Sequence, residues 1–142
     1  MAVAFGFVVL LFMGVFGQVF HFVGRIADKG RRPDQTGVHG VYRVDPDGTI
    51  ARILTEPEVV RPNGIVISPD DRTLYMIETE QSEGGPRMIR AYDLSDAGTV
   101  SNMRVFHDFS PGRSGDGMTI DSEGNLYVGS IAGDWIAKCR ID

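Results

Sequence analysis

Two short runs of the sequence share an order of residue types, and each could supply a metal ligand. The first opens with Asn63-Gly64 and the second, about 50 residues later, opens with Asp116-Gly117; each continues into an apolar strand and an acidic turn. An amide oxygen and a carboxylate are hard donors, which suit calcium, magnesium or manganese better than a thiophilic metal. Ordinary Asn-Gly and Asp-Gly turns would explain the same residues, so both interpretations stay open on spacing alone.

The elements that would position these residues are β-hairpins. From residue 38 onwards, apolar and polar residues alternate along the chain and are punctuated by Asp, Pro and Gly turns. No stretch after residue 36 has a helical period. Four hairpins are predicted, with paired strands at 40–44 and 49–54, 65–67 and 73–77, 88–92 and 102–106, and 118–120 and 126–128.

The hairpins recur with a period of roughly 50 residues and four short strands per unit, which is typical of a β-propeller blade. We therefore predict an all-β fold with about two four-stranded blades, the first of them entered at its last two strands. First strands line a propeller's channel, so Asn63 and Asp116, at equivalent blade positions, are predicted to converge there. Because even small rings need about four blades, we expect a fragment, a chain completed by a partner, or self-association through unclosed blades.

The first 23 residues are of a different kind, since they carry no charge and are mostly apolar. They predict an apolar N-terminal helix over residues 1–24, a linker over 25–37 and the partial propeller over 38–142. Two interpretations of residues 1–23 stay open. A transmembrane or export segment would give membrane contact and an anchored or exported protein, with the basic residues from Arg25 on the cytoplasmic side. A mis-called gene start would leave a cytoplasmic protein.

Composition excludes several classes of function. The 142 residues carry a net charge of -5, which does not fit a basic nucleic-acid binder, and the charged fraction of 23% does not fit a disordered acidic tail. The single cysteine, Cys139, excludes an internal disulfide framework and a cysteine-built zinc site.

Taken in order, the turns and strands resemble the SMP-30/gluconolactonase/LRE-like family. The similarity lies in the runs that begin at Gly40, Arg61, Ser68 and Asp116 and covers roughly residues 38 to 135. It implies a six-bladed β-propeller that hydrolyses sugar lactones or related esters with one divalent metal, often calcium, in its channel. Asn63 matches the family's metal-binding asparagine. Asp116 matches its metal-binding aspartate, which is also the proposed catalytic base.

The resemblance also implies that part of the site is missing. The family's metal-ligating glutamate and a further asparagine come from earlier blades and have no counterpart here. Calcium takes about six to eight oxygen ligands, so two side chains predict a weak site and little or no hydrolysis by this chain alone. The rival interpretation is a non-catalytic propeller binding module, membrane-tethered or not, or an inactive gene remnant.

Other polar residues are assigned structural roles. Ser114 is not in a G-x-S-x-G elbow, so a serine-hydrolase interpretation is poor. Glu78 and Glu80 are expected in a solvated loop. Surface, packing or turn roles are predicted for His39, His107, Trp135, Cys139 and the turn acids Asp45, Asp47, Asp70, Asp71 and Asp121.

Overall fold

The computed structural model describes residues 11–15, 18–23, 39–130, 132–133 and 136–140, with side chains from residue 39 onwards. These residues form strands and turns without any helix. The strands are β1 (Leu11–Val15), β2 (Gln18–Val23), β3 (Gly40–Val44), β4 (Ile50–Thr55), β5 (Pro62–Ile67), β6 (Thr73–Thr79), β7 (Arg87–Leu94), β8 (Val100–Asp108), β9 (Gly115–Ile120), β10 (Leu126–Ser130) and β11 (Ile136–Cys139).

The strands form three antiparallel sheets that follow one another along the chain. The first sheet has the order β1-β2-β3-β4, the second β5-β6-β7-β8, and the third β9-β10-β11. The opening strands of the three sheets are neighbours, because β5 contacts both β1 and β9. The predicted all-β class and the four predicted hairpins are confirmed.

One kind of turn recurs between paired strands. In the turns that begin at Asp45, Ser95 and Asp121, the first residue's N–H donates to the carbonyl four residues on, and a glycine in fourth place takes a positive φ of 69° to 87°. Glycine reaches this left-handed region without the penalty that a Cβ imposes. These turns explain why the strands return so sharply on themselves.

Strands β5 and β6 of the second sheet have buried side chains on both faces, which explains their apolar runs. Leu74 and Met76 of β6 face the first sheet, whereas Tyr75 and Ile77 face the third. The core between the first two sheets comprises Val41, Leu54, Val59, Ile65, Ile67, Leu74, Met76, Tyr92 and Leu94. The core between the second and third comprises Val66, Tyr75, Ile77, Ile89, Ala91, Leu126, Val128 and Cys139.

The N-terminal helix predicted over residues 1–24 is not supported. Residues 11–15 and 18–23 form strands β1 and β2, and β2 pairs with β3, so the first sheet has four strands. The stretch is rich in phenylalanine and valine, which favour strands, and hydropathy alone does not separate a buried strand from a buried helix. Residues 1–10, 16–17 and 24, like the predicted linker over 25–37, lie outside the described residues. No helix long and apolar enough to span a membrane is found in the part of the chain that the structure describes.

Strand β8 forms the outer edge of the second sheet. Most of its side chains are exposed, including those of Met103 and Val105. Its pairing with β7 is irregular in two places, and Asn102 has a positive φ of 49°. The edge is therefore long but bent.

Candidate functional site

The structure brings Asn63 and Asp116 into direct contact. Each is the second residue of its strand, β5 or β9, and the two are 53 residues apart in the chain. The amide Nδ2 of Asn63 donates a hydrogen bond of 2.6 Å to Oδ1 of Asp116. Both strands pair irregularly near these residues, as bulged strands often do where a side chain is redirected towards a site. The repeat therefore indicated the right neighbours, while their roles as metal ligands and catalytic base stay predictions.

The hydrogen bond leaves two oxygen atoms available at the site. No described residue forms a hydrogen bond with the amide oxygen of Asn63 or with Oδ2 of Asp116. Asp116 is exposed and Asn63 is half-buried, so a ligand can approach from solvent. These donors fit a hard cation such as calcium in kind, but two oxygens fall short of the six to eight that calcium takes. Among the described side chains, no group of three or more His, Cys, Asp or Glu could hold a metal ion.

Two glycines allow the strands to approach closely here. A Cβ built on Gly64 would lie 2.5 Å from the main-chain oxygen of Asp116 and 3.1 Å from Cδ1 of Ile77. A Cβ on Gly115 would lie 2.4 Å from Cγ1 of Val128. Distances below 3.0 Å essentially never occur for real Cβ atoms, so any side chain at Gly64 would push β5 away from β9.

A buried carboxylate lies behind the site, contrary to prediction. Strand β6 continues to Thr79, which places Glu78 inside the sheet, where its side chain is completely buried. Its carboxylate accepts hydrogen bonds from the backbone N–H groups of Val60 and Arg61. Nη1 of Arg90 lies 3.5 Å from its Oε1. The missed signal was the opposite charge of Arg90, which lies in the adjacent predicted strand and diagonal to the residue that directly follows the strand predicted over 73–77.

The loops at this end of the second sheet are tied together by one guanidinium group. The loop from β6 to β7 and the loop from β8 to β9 both lie at the end where β5 begins. The side chain of Arg87 donates hydrogen bonds to main-chain carbonyl oxygens of both, namely those of Glu80, Gln81, Ser82, Pro111 and Gly112. The rim beside Asn63 and Asp116 is therefore cross-linked. Glu80 lies past the end of β6, and the Ser82 N–H lowers its pKa.

The remaining polar residues have the structural roles predicted for them. Ser114 is completely buried and donates to the carbonyl of Glu78, so its hydroxyl is not available as a nucleophile. His39 contacts Glu56 and the carbonyl of Val60, and His107 packs edge-on against Phe109.

Asp47, Asp70 and Asp121 accept hydrogen bonds within or beside their own turns, whereas Asp45 pairs with Arg43 of β3. The Thr49 N–H lowers the pKa of Asp47, and the Ser68 hydroxyl lowers that of Asp70. Cys139 is buried, which raises the pKa of its thiol, whereas Trp135 lies outside the described residues.

Comparison with known proteins identifies consistent relatives. A family model described as SMP-30/Gluconolactonase/LRE-like region matches residues 17–140. A gluconolactonase of Zymomonas mobilis is 32% identical over 105 residues, which cover 69% of this chain and 28% of the relative. Pentonolactonase XacC of Haloferax volcanii is 33% identical over 116 residues, which cover 80% of this chain and 37% of the relative. The chain thus spans about a third of the length of the curated relatives it matches.

Several solved structures have a similar fold. A luciferin-regenerating enzyme superposes with a TM-score of 0.64 at 27% identity, over 86% of this chain and 38% of that structure. A gluconolactonase of Xanthomonas campestris gives 0.61 at 28% identity, over 80% and 38%. Regucalcin of Agrobacterium tumefaciens, a calcium-binding protein, gives 0.55 at 20% identity over 86% and 41%, a likeness of fold alone.

Proposed function

Because the chain belongs to the SMP-30/gluconolactonase/LRE-like family, we propose that it is part of a metal-dependent hydrolase of sugar lactones or related esters. In this proposal the three sheets are successive blades of a six-bladed propeller, and β1, β5 and β9 line its channel. The observation that carries the proposal is the hydrogen bond between Asn63 and Asp116, since it joins two oxygen-bearing side chains at equivalent positions of neighbouring sheets. Membrane contact and self-association receive no support from the strands or the relatives, and the proposal needs neither.

In this proposal both side chains bind the cation, and Asp116 also acts as the base. The amide oxygen of Asn63 and Oδ2 of Asp116 would hold a divalent cation, and these hard oxygen donors suit calcium. When bound, the cation would supply the positive charge that polarises a lactone carbonyl and stabilises the negative oxygen developing on it. The carboxylate of Asp116 accepts a proton from the attacking water. The side-chain amide of Asn63 donates to one oxygen of that carboxylate, which would leave the other oriented towards the channel.

The proposal includes an incomplete ring. The relatives are more than twice as long as this chain, and their further length would supply the remaining blades and ligands. We therefore expect weak calcium binding and no measurable lactone hydrolysis by the 142-residue chain alone. The shortage of donors in the described part also supports the second candidate, a propeller module that binds without catalysis.

Calcium binding tests the ligand role. Isothermal titration of the full chain with CaCl2 should give a weak binding isotherm that Asp116→Asn abolishes, because the substitution removes a charged oxygen donor. Asp121→Asn is the matched control, since it removes a carboxylate that follows β9 and whose partners all lie within residues 123–127. Equal calcium affinity in the wild type and in Asp116→Asn would contradict the ligand role.

A chimera separates the hydrolase from the binding module. Residues 39–130 of this chain would replace the matching segment of the Zymomonas mobilis gluconolactonase, which restores a full ring. The chimera should hydrolyse gluconolactone, as followed by proton release. Asp116→Asn should lower its rate by about 10² to 10⁴, the usual contribution of a general base, and by more if the cation is lost too. A folded chimera that binds calcium but does not hydrolyse lactone would favour the binding module.

A further inference from the structure

We propose that Glu78 is a positioning residue that holds Asn63 and Asp116 in register by fixing the chain just ahead of each. The inference rests on the proposed function of that pair. Its observations concern a different residue, which lies on β6 and whose side chain reaches neither the amide of Asn63 nor the carboxylate of Asp116.

The carboxylate of Glu78 holds the approach to Asn63. Its Oε2 accepts a hydrogen bond of 2.7 Å from the backbone N–H of Arg61, and its Oε1 accepts one of 3.1 Å from that of Val60. The N–H of Thr79 donates to the carbonyl of Arg61 at 3.0 Å. Arg61 is therefore fixed through both of its main-chain polar groups, two residues before Asn63.

Regular strand pairing cannot do this work at the start of β5. Pro62 has no N–H, and the register between β5 and β6 is interrupted between Pro62 and Ile65. Asn63 lies in that interruption. The hydrogen bonds that the carboxylate of Glu78 accepts therefore supplement the sparse strand pairing ahead of Asn63.

The main chain of Glu78 holds the approach to Asp116. The hydroxyl of Ser114 donates a hydrogen bond of 2.7 Å to the carbonyl oxygen of Glu78, and both residues are completely buried. Ser114 lies two residues before Asp116 and immediately ahead of β9. One residue of β6 thus contacts the entrance of both strands that carry the site, through its side chain on one side and its carbonyl on the other.

The charge of Glu78 fits a positioning role better than a packing role. Burial of a carboxylate is costly, and an apolar residue would fill the same space without that cost. The carboxylate is balanced by Arg90, whose Nη1 lies 3.5 Å away and also donates to the carbonyl of Glu58. An apolar residue could not accept hydrogen bonds from the N–H groups of Val60 and Arg61.

Nuclear magnetic resonance of the isotopically labelled full chain tests this without any metal. The side-chain amide protons of Asn63 report on its hydrogen bond to Asp116, and the backbone amide of Arg61 reports on Glu78. Glu78→Gln should shift both signals, because a glutamine presents one acceptor oxygen where the carboxylate presents two. Ser114→Ala should shift the Asn63 signal and leave that of Arg61 in place.

The matched control is Ser68→Ala, another buried serine at the opposite end of β5, which should leave both signals unchanged. An unchanged Asn63 signal in folded Glu78→Gln would overturn the proposal. If Glu78→Gln does not fold, Ser114→Ala decides, and an unchanged Asn63 signal there overturns the proposal.

Titration with CaCl2 is a separate measurement on the same variants. Glu78→Gln and Ser114→Ala should each weaken calcium binding by about tenfold, the scale on which displaced metal ligands commonly lose affinity. If the wild type binds no calcium but the variants show the predicted signal changes, the proposed function is contradicted and the positioning role is supported.

Discussion

Two equivalent hairpins of this protein have very different surroundings. The β5–β6 hairpin and the β9–β10 hairpin share a sequence pattern and a turn position, with Asn63 and Asp116 at matching places. In β5, Ile65, Val66 and Ile67 are buried, whereas most of β9 beyond its first residue is exposed or half-buried. The second sheet has described neighbours on both faces and the third on one. The pattern thus specifies the hairpin, while adjacent sheets decide how far it is buried.

The difference divides the candidate site into two unequal halves. Asn63 extends from a strand packed on both faces and from a segment held by Glu78. Asp116 extends from a strand whose side chains beyond Gly115 are exposed or half-buried, although it pairs with β10 and is held at its start by Ser114. Because local stability follows buried contacts, the Asn63 half should be the more rigid one.

The largest expected effect comes from shortening matched isoleucines of the two hairpins. Ile67→Ala should lower the free energy of unfolding by about 2–5 kcal/mol, because it opens a cavity between the first two sheets. The equivalent Ile120→Ala should cost only about 1–2 kcal/mol, because that side chain is partly exposed. Urea unfolding followed by circular dichroism measures both. Equal losses at low protein concentration would break the comparison and mean that the third sheet is covered in solution.

A smaller effect, opposite in sign for the two members, is expected at the matched glycines. Gly64→Ala should destabilise the fold by about 1–3 kcal/mol, because its Cβ would meet the main-chain oxygen of Asp116. At Gly117 no atom of the described residues beyond its chain neighbours lies within 4 Å of a built Cβ, so Gly117→Ala should be neutral or stabilise by up to about 1 kcal/mol. Thermal unfolding gives both values. Destabilisation by Gly117→Ala of the same size would show that β5 and β9 approach symmetrically.

The smallest expected effect concerns acid stability and the acids of the two turns. The Ser68 hydroxyl lowers the pKa of Asp70; burial raises that of Asp121, but hydrogen bonds from Asn125 and Tyr127 outweigh it and the net pKa is lowered. A carboxylate whose folded pKa lies below its unfolded value of 3.8 stabilises the fold above that pH, and this contribution is lost as the pH falls through the folded pKa.

Unfolding free energy should therefore drop below pH 3.8, and by less in Asp70→Asn or Asp121→Asn. The acid-induced loss of stability should decrease more in Asp121→Asn than in Asp70→Asn, because the carboxylate of Asp121 accepts more hydrogen bonds. Urea midpoints at neutral pH and below pH 3.8 measure the change. An unaltered pH dependence in both variants would mean that these carboxylates do not contribute.

The repeat made the contact between Asn63 and Asp116 predictable from the sequence alone. Matching Asn63 with Asp116 required only the order of turn and strand residues, and the two side chains lie within hydrogen-bonding distance. The hairpin turns could also be predicted, because Asp, Pro and Gly at fixed offsets determine the local backbone. These features depend on short-range chemistry that sequence records directly.

Features that depend on neighbouring sheets were missed. Strands β1 and β2 were hidden because a run of phenylalanine and valine has the same mean hydropathy whether it folds as a helix or a strand. Glu78 was assigned to a loop because a charged residue after an apolar run normally marks the end of a strand. It is retained inside by N–H groups from residues 60–61 and by Arg90, partners that only the folded chain brings together.

The bent outer edge of the second sheet has a consequence for the protein in solution. Fibrils grow when a strand of one molecule adds along a straight, regular row of unpaired N–H and C=O groups on another. The nine residues of β8 offer such a row only in short pieces, because the strand is irregular in two places and turns at Asn102. A molecule with this long exposed border is thereby protected against templated growth.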